Sequence, residues 1–133
     1  MSQENVDRLR RAFEAWSLGD RQTVEALLRD FLAPGFEMRP LYLDKVYSGA
    51  EGLWAMWADA RATWEGYRFE LEEIVDVDDH ALVMGRIRGR GAASGVPITQ
   101  PLAMLFTFRD GKAVHAKSFT SKREALEAVR LRE

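Results

Sequence analysis

The sequence predicts an α+β domain in which helices cover one face of a curved antiparallel sheet. Apolar residues recur at helical spacing through the N-terminal half, and the period switches to two from Tyr67 onward. An Asp110-Gly111 pair then marks a tight hairpin between the last two strands. At 133 residues the chain has the length of one domain. Such a domain buries about two thirds of the surface its unfolded chain would expose.

The elements follow in order. Val6, Leu9, Phe13 and Trp16 fall on one stripe of a helix over residues 5 to 18. Gly19 ends it, and Asp20 caps a second helix running to Phe31, whose inward face is Val24, Leu27, Leu28 and Phe31. Pro34 and Gly35 break the chain before a short strand, Phe36 to Arg39, closed by Pro40. Ser48 and Glu51 form a capping box that opens a third helix. Its inward stripe is Leu53, Met56, Trp57, Ala60 and Trp64, and Gly66 stops it. Strands are expected over Tyr67–Val77, Ala81–Gly91, Ile98–Arg109 and Ala113–Thr120. A second capping box, Ser121 with Glu124, starts a last helix carrying Ala125, Leu126 and Val129. Helices along the rim of a long, twisted sheet leave a concavity, and function is expected there.

Composition excludes several classes of function. Hydrophobic residues are 47% and charged residues 30%, as in ordinary globular domains. With no cysteine there is no disulfide, thiolate chemistry or sulfur-ligated metal, which suits a reducing compartment. The N-terminus is polar, no apolar run is long enough to span a bilayer, and the net charge is −2. A cytoplasmic protein without nucleic-acid or membrane partners is expected. No zinc, nucleotide or Ser-His-Asp signature is present, so neither metal nor cofactor is expected.

Candidate site residues come next. Glu37 and Arg39, two apart on a strand, share a face. On the cavity wall Arg39 would bind an anionic or carbonyl oxygen and Glu37 would move a proton; at the rim they are a structural ion pair. Trp16, Trp57, Trp64, Tyr42 and Met104 are walls for a flat apolar ligand, or, for the tryptophans, ordinary core. Trp54 lies outside its helix's inward stripe, as pocket-rim or interface material or packed against its own chain. Arg86, Arg88 and Arg90 alternate along one strand face and pair with Glu70 and Glu72, a solvated charged surface rather than an RNA strip. His80 sits in an acidic turn, while His115 shares a strand face with Lys117.

The phrases RRAFEAWSLGD, VYSGAEGL, TFRDGK and KREALEAV, in this order of elements, resemble the SnoaL-like, ketosteroid-isomerase-like families of the nuclear transport factor two superfamily. The resemblance spans essentially the whole chain. It implies one domain over residues 1–133, a cone-like α+β barrel with three N-terminal helices, and a homodimer through the outer face of the sheet. It also implies that Ala116, Ser118 and Thr120 point into the cavity and His115 away. The isomerases of this superfamily use an Asp base with a Tyr and a protonated Asp as oxyanion donors. Those positions fall here on or next to Arg39, near Ala12 or Phe13, and near Met104, so that chemistry has no residues to run on. The Asp and His of the polyketide cyclases have no matched motif either. Two classes of function remain. One is a small-molecule-binding protein with an apolar pocket, drawing on Trp16, Tyr42, Trp57, Met104 and Ser118. The other is a cofactor-independent isomerase, cyclase or hydrolase acting on a small carbonyl or carboxylate compound through Glu37 and Arg39.

Overall fold

The computed structural model describes residues 3–41 and 44–132, without the side chains of 131 and 132. In chain order its elements are α1 (Gln3–Ser17), α2 (Arg21–Phe31), β1 (Leu32–Arg39), β2 (Tyr47–Ser48), α3 (Gly49–Thr63), β3 (Trp64–Val77), β4 (His80–Gly91), β5 (Pro97–Arg109), β6 (Lys112–Phe119) and α4 (Lys122–Arg132).

The stripe of α1 buries Val6 and Leu9 and half-buries Phe13 and Trp16. Gly19 turns the chain at φ +71°, a conformation that costs glycine nothing. Asp20 then caps α2, its carboxylate accepting from the Thr23 hydroxyl at 2.6 Å and the Thr23 N–H at 3.1 Å. These bonds favour the ionised form and hold the Asp20 carboxyl below its ordinary pKa. The helix passes directly into β1, whose first residue, Leu32, is extended while its N–H still donates to the Leu28 carbonyl. The strand thus starts before the Pro34-Gly35 break expected to precede it. Proline offers no N–H to a ladder, and the register accordingly shifts between Leu32 and Glu37.

The start of α3 stands where expected, but its end moves. Ser48 stands at the N-cap but makes no side-chain capping bond, whereas at Ser121 half of the box forms: the Glu124 N–H donates to Ser121 Oγ at 3.2 Å, and the Glu124 carboxylate accepts from the Thr120 hydroxyl. At the other end α3 stops at Thr63, and Trp64 is the first residue of β3. Gly66, at φ +64°, lies inside the register shift between Glu65 and Arg68, so it makes a bulge rather than a helix stop.

The six strands form one open sheet in the order β2-β1-β6-β5-β4-β3. All neighbours are antiparallel except β1 and β6, which run parallel. The expected antiparallel meander of β3 to β6 forms, and β1 joins it in parallel, the intervening chain supplying the long crossover that a parallel pair needs. The β5–β6 turn follows the expected chemistry, with Asp110 at φ 53° and Gly111 at φ 78°. Register shifts in β3, and between β5 and β6 at Thr107/Phe108, curl the twisted sheet around the helices.

The core lies on both faces. Phe36, Met38, Val83, Met104 and Phe106 belong to the inner cluster. Leu82, Ala103 and Leu105 face the other way and are covered by Ala125 and Val129 of α4. Helices therefore pack on both faces, because these outward apolar residues need cover as well. Beyond α4 the outer face is charged: Arg86 pairs with Glu72 at 3.4 Å, and Arg88 pairs with Glu70.

Candidate functional site

Between the concave face of the sheet and α1, α2 and α3 lies a cavity of about 290 Å³. Its geometry follows from α3, none of whose residues is fully buried. The helix packs against β1, β2 and β3, yet leaves Leu53, Met56 and Trp57 only half-buried, facing the cavity. Among the described residues the lining contains no Asp, Glu, Lys, Arg or His.

One wall is aromatic. Trp16 stacks on Trp54 with ring centroids 5.0 Å apart and planes 14° apart, and meets Trp57 at 4.4 Å and 58°. The Arg21 guanidinium sits 4.3 Å from the Trp54 ring and that of Arg61 sits 5.3 Å from Trp57, so cations seat these indoles. Trp54 is thus packed against its own chain. Phe13 and Phe69 meet at 5.4 Å across α1 and β3.

Of the residues singled out in the sequence, Trp16, Trp57, Met104 and Ser118 line this one cavity, as does Trp64. Tyr42 lies outside the described residues. Glu37 and Arg39 do not reach the cavity: both are exposed, while Phe36 and Met38 between and before them are buried and Met38 lines the wall. Alternation along a strand sends every second side chain outward, and the apolar pair takes the inner face. Glu37 lies opposite His115, and Arg39 opposite Lys117, on the outward side of β6. His80 Nδ1 lies 3.1 Å from Thr107 Oγ1, and Thr107 is in turn opposite His115. Neither histidine lines the cavity.

The polar atoms of the cavity divide into two kinds. Ser17 Oγ donates to the Phe13 carbonyl at 3.1 Å and Thr63 Oγ1 to the Asp59 carbonyl at 3.3 Å, so both are spent on their own helices. The hydroxyls of Ser118 and Tyr67 have no hydrogen-bond partner among the described residues. Burial pushes the Tyr67 phenol above its ordinary pKa, which keeps it protonated and a donor at neutral pH.

Next to the rim, Tyr47 ties the strand edge to α3. Its hydroxyl donates to Asp59 Oδ2 at 2.5 Å, and Lys45 Nζ donates to the same oxygen at 3.2 Å. The Tyr47 bond, then that of Lys45, holds the Asp59 carboxyl below its usual range, whereas burial and the carboxylate together push the Tyr47 phenol up. Residues 12 and 14 apart meet here, and no local pattern announces it. Tyr67 and Phe69 were also missed as wall residues, although their alternation after the Gly66 bulge was available as a signal.

An open, curled sheet with three helices across its concave face is the NTF2-like arrangement of α+β proteins. The chain belongs to the SnoaL-like domain family, whose family model matches residues 9–116. An NTF2-like protein of unknown function from Burkholderia pseudomallei is similar at 19% identity and a TM-score of 0.71, over 98% of both chains. A candidate SnoaL-like polyketide cyclase from Jannaschia sp. CCS1 is similar at 23% identity and a TM-score of 0.70, over 98% of this chain and 93% of that one. TerC, co-crystallised with polyporic acid, is similar at 17% identity and a TM-score of 0.68, over 95% and 98%. No curated protein matches the chain. No described helix is long and apolar enough to cross a membrane.

Proposed function

We propose that the protein binds a small, neutral, flat and mostly apolar molecule in the cavity beneath α3. The observation that carries this reading is the lining, which has no charged side chain among the described residues. An ionised ligand there would give up its water without gaining a counter-ion, at a cost of several kcal/mol. A planar apolar body gains contact with Trp16, Trp57 and Met104 instead.

The same lining favours binding over catalysis. Acid–base chemistry needs a titratable group within reach of the substrate, poised near the working pH. The titratable side chain of the described lining is Tyr67, and burial moves it away from neutrality. Relatives in the fold accept organic ligands: TerC holds polyporic acid, and a ketosteroid-isomerase-like protein from Catenulispora acidiphila, 17% identical, holds trimethylamine. A homodimer through the outer sheet face belongs to this proposal by resemblance alone, and sedimentation equilibrium tests it.

Calorimetric titration with naphthalene-2-carboxamide and with 2-naphthoate tests the binding reading. The neutral amide is expected to bind at least about tenfold more tightly than the anion. Equal or tighter binding of the anion, or no binding of either compound, refutes it.

A further inference from the structure

Resting on that reading, we propose that Ser118 is the residue that recognises the ligand, taking a single carbonyl or hydroxyl oxygen carried on an otherwise apolar skeleton. Ser118 is only 6% exposed and lines the cavity. The Oγ keeps some accessible surface in a residue that faces the cavity. It neither accepts a hydrogen bond from a described donor nor donates one to a described acceptor. Most buried polar side-chain atoms are paired, so a nine-tenths buried hydroxyl left open to a cavity is a place kept for a partner from outside.

The surroundings define that partner. On β5, Met104 lies opposite Ser118, and beyond it Val83 of β4 lies opposite Met104, so the hydroxyl stands in an apolar row on the floor of the sheet. Tyr67 also lines the cavity, from β3, three strands away in the sheet order. A hydroxyl both donates and accepts, which suits a ketone as well as an alcohol. With no cation on the described wall, a carboxylate is disfavoured.

The test pairs two bicyclic probes of one skeleton, tetralin and 1-tetralone, which differ by one carbonyl oxygen. Their dissociation constants are measured on the wild-type protein, on Ser118→Ala and on Ser118→Cys, which keeps the branching of the side chain with a slightly larger atom and a weaker donor. Both substitutions are expected to weaken 1-tetralone binding about three- to tenfold and to leave tetralin within about twofold. Weakening of both probes alike, or of neither, overturns the role of Ser118 while leaving the cavity as a binding site. Failure of both probes to bind the wild-type protein overturns the binding reading, and the Ser118 proposal with it.

Discussion

Asp59 shows how much a single side chain does at the edge of the cavity. Its carboxylate accepts from Tyr47 and Lys45 together, and both bonds are strongest while it is ionised. Its folded pKa therefore lies below the unfolded value, so its contribution is complete above that unfolded value and is lost as pH falls through the folded one. The stability difference between wild type and Asp59→Asn is expected to be largest near neutral pH and to shrink as the pH drops below about 4. Melting temperatures of the two proteins from pH 7 to pH 2.5 check this; a difference that stays constant, or grows in acid, contradicts it. Some acid sensitivity remains in Asp59→Asn, because Asp20 and Glu70 are also held below their ordinary values. The tryptophans make the same point about neighbours. Trp54, off the inward stripe of its helix, is accounted for by the Trp16 ring on one side and the Arg21 guanidinium nearby.

Among the elements, β4 has the tightest approach. A Cβ at Gly85 would collide with the Glu70 carbonyl oxygen and lie 2.6 Å from the tip of the Phe69 ring. Gly85 lies opposite Leu71, at the edge of the shift in β3 before Glu73, where the bulged strand crowds its partner. Gly85→Ala is thus expected to destabilise the fold by about 1–3 kcal/mol through overpacking, seen as a lower denaturation midpoint. Unchanged stability would mean that β3 yields at no cost. Because Phe69 lines the cavity, the same substitution alters the wall as well. The boundary between α3 and β3 is the other decision at this scale. Helical spacing includes Trp64, but the residue is extended at φ −124° and ψ 127°. Its indole still reaches the cavity, now from the sheet side.

For the molecule as a whole, the placement of β1 decides which side chains meet. Parallel pairing with β6 turns Met38 inward and aligns Glu37 and Arg39 with His115 and Lys117 outside. Arg39→Ala and Glu37→Gln are therefore expected to leave the affinity for a cavity ligand within about twofold and the stability within about 0.5 kcal/mol, as for other surface substitutions. A tenfold loss of affinity in either variant, measured by the same calorimetric titration, would show that the pair acts on the site. The open sheet also has two working faces. One meets α1, α2 and α3 across a cavity, while the other is covered in part by α4 and elsewhere by an Arg–Glu surface.

By itself the sequence determined the order of the elements other than the two-residue β2, the α+β class and the Asp110-Gly111 hairpin, since periodicity, caps and turn residues act over a few neighbours. Helical and strand spacing offered Trp16, Trp57 and Met104 as wall candidates, whereas Ser118 came from the family resemblance, and all four line the cavity. Only the tertiary structure decided the parallel β1–β6 pair, the Tyr47–Asp59–Lys45 cluster and the outward turn of Glu37 and Arg39. The alternation of Phe36 and Met38 with Glu37 and Arg39 gives β1 an apolar face and a charged one, but a charged face can also line a ligand cavity. Which one is buried depends on the apolar surface that another part of the chain brings to it, and that competition is settled only when the whole sheet closes over its core.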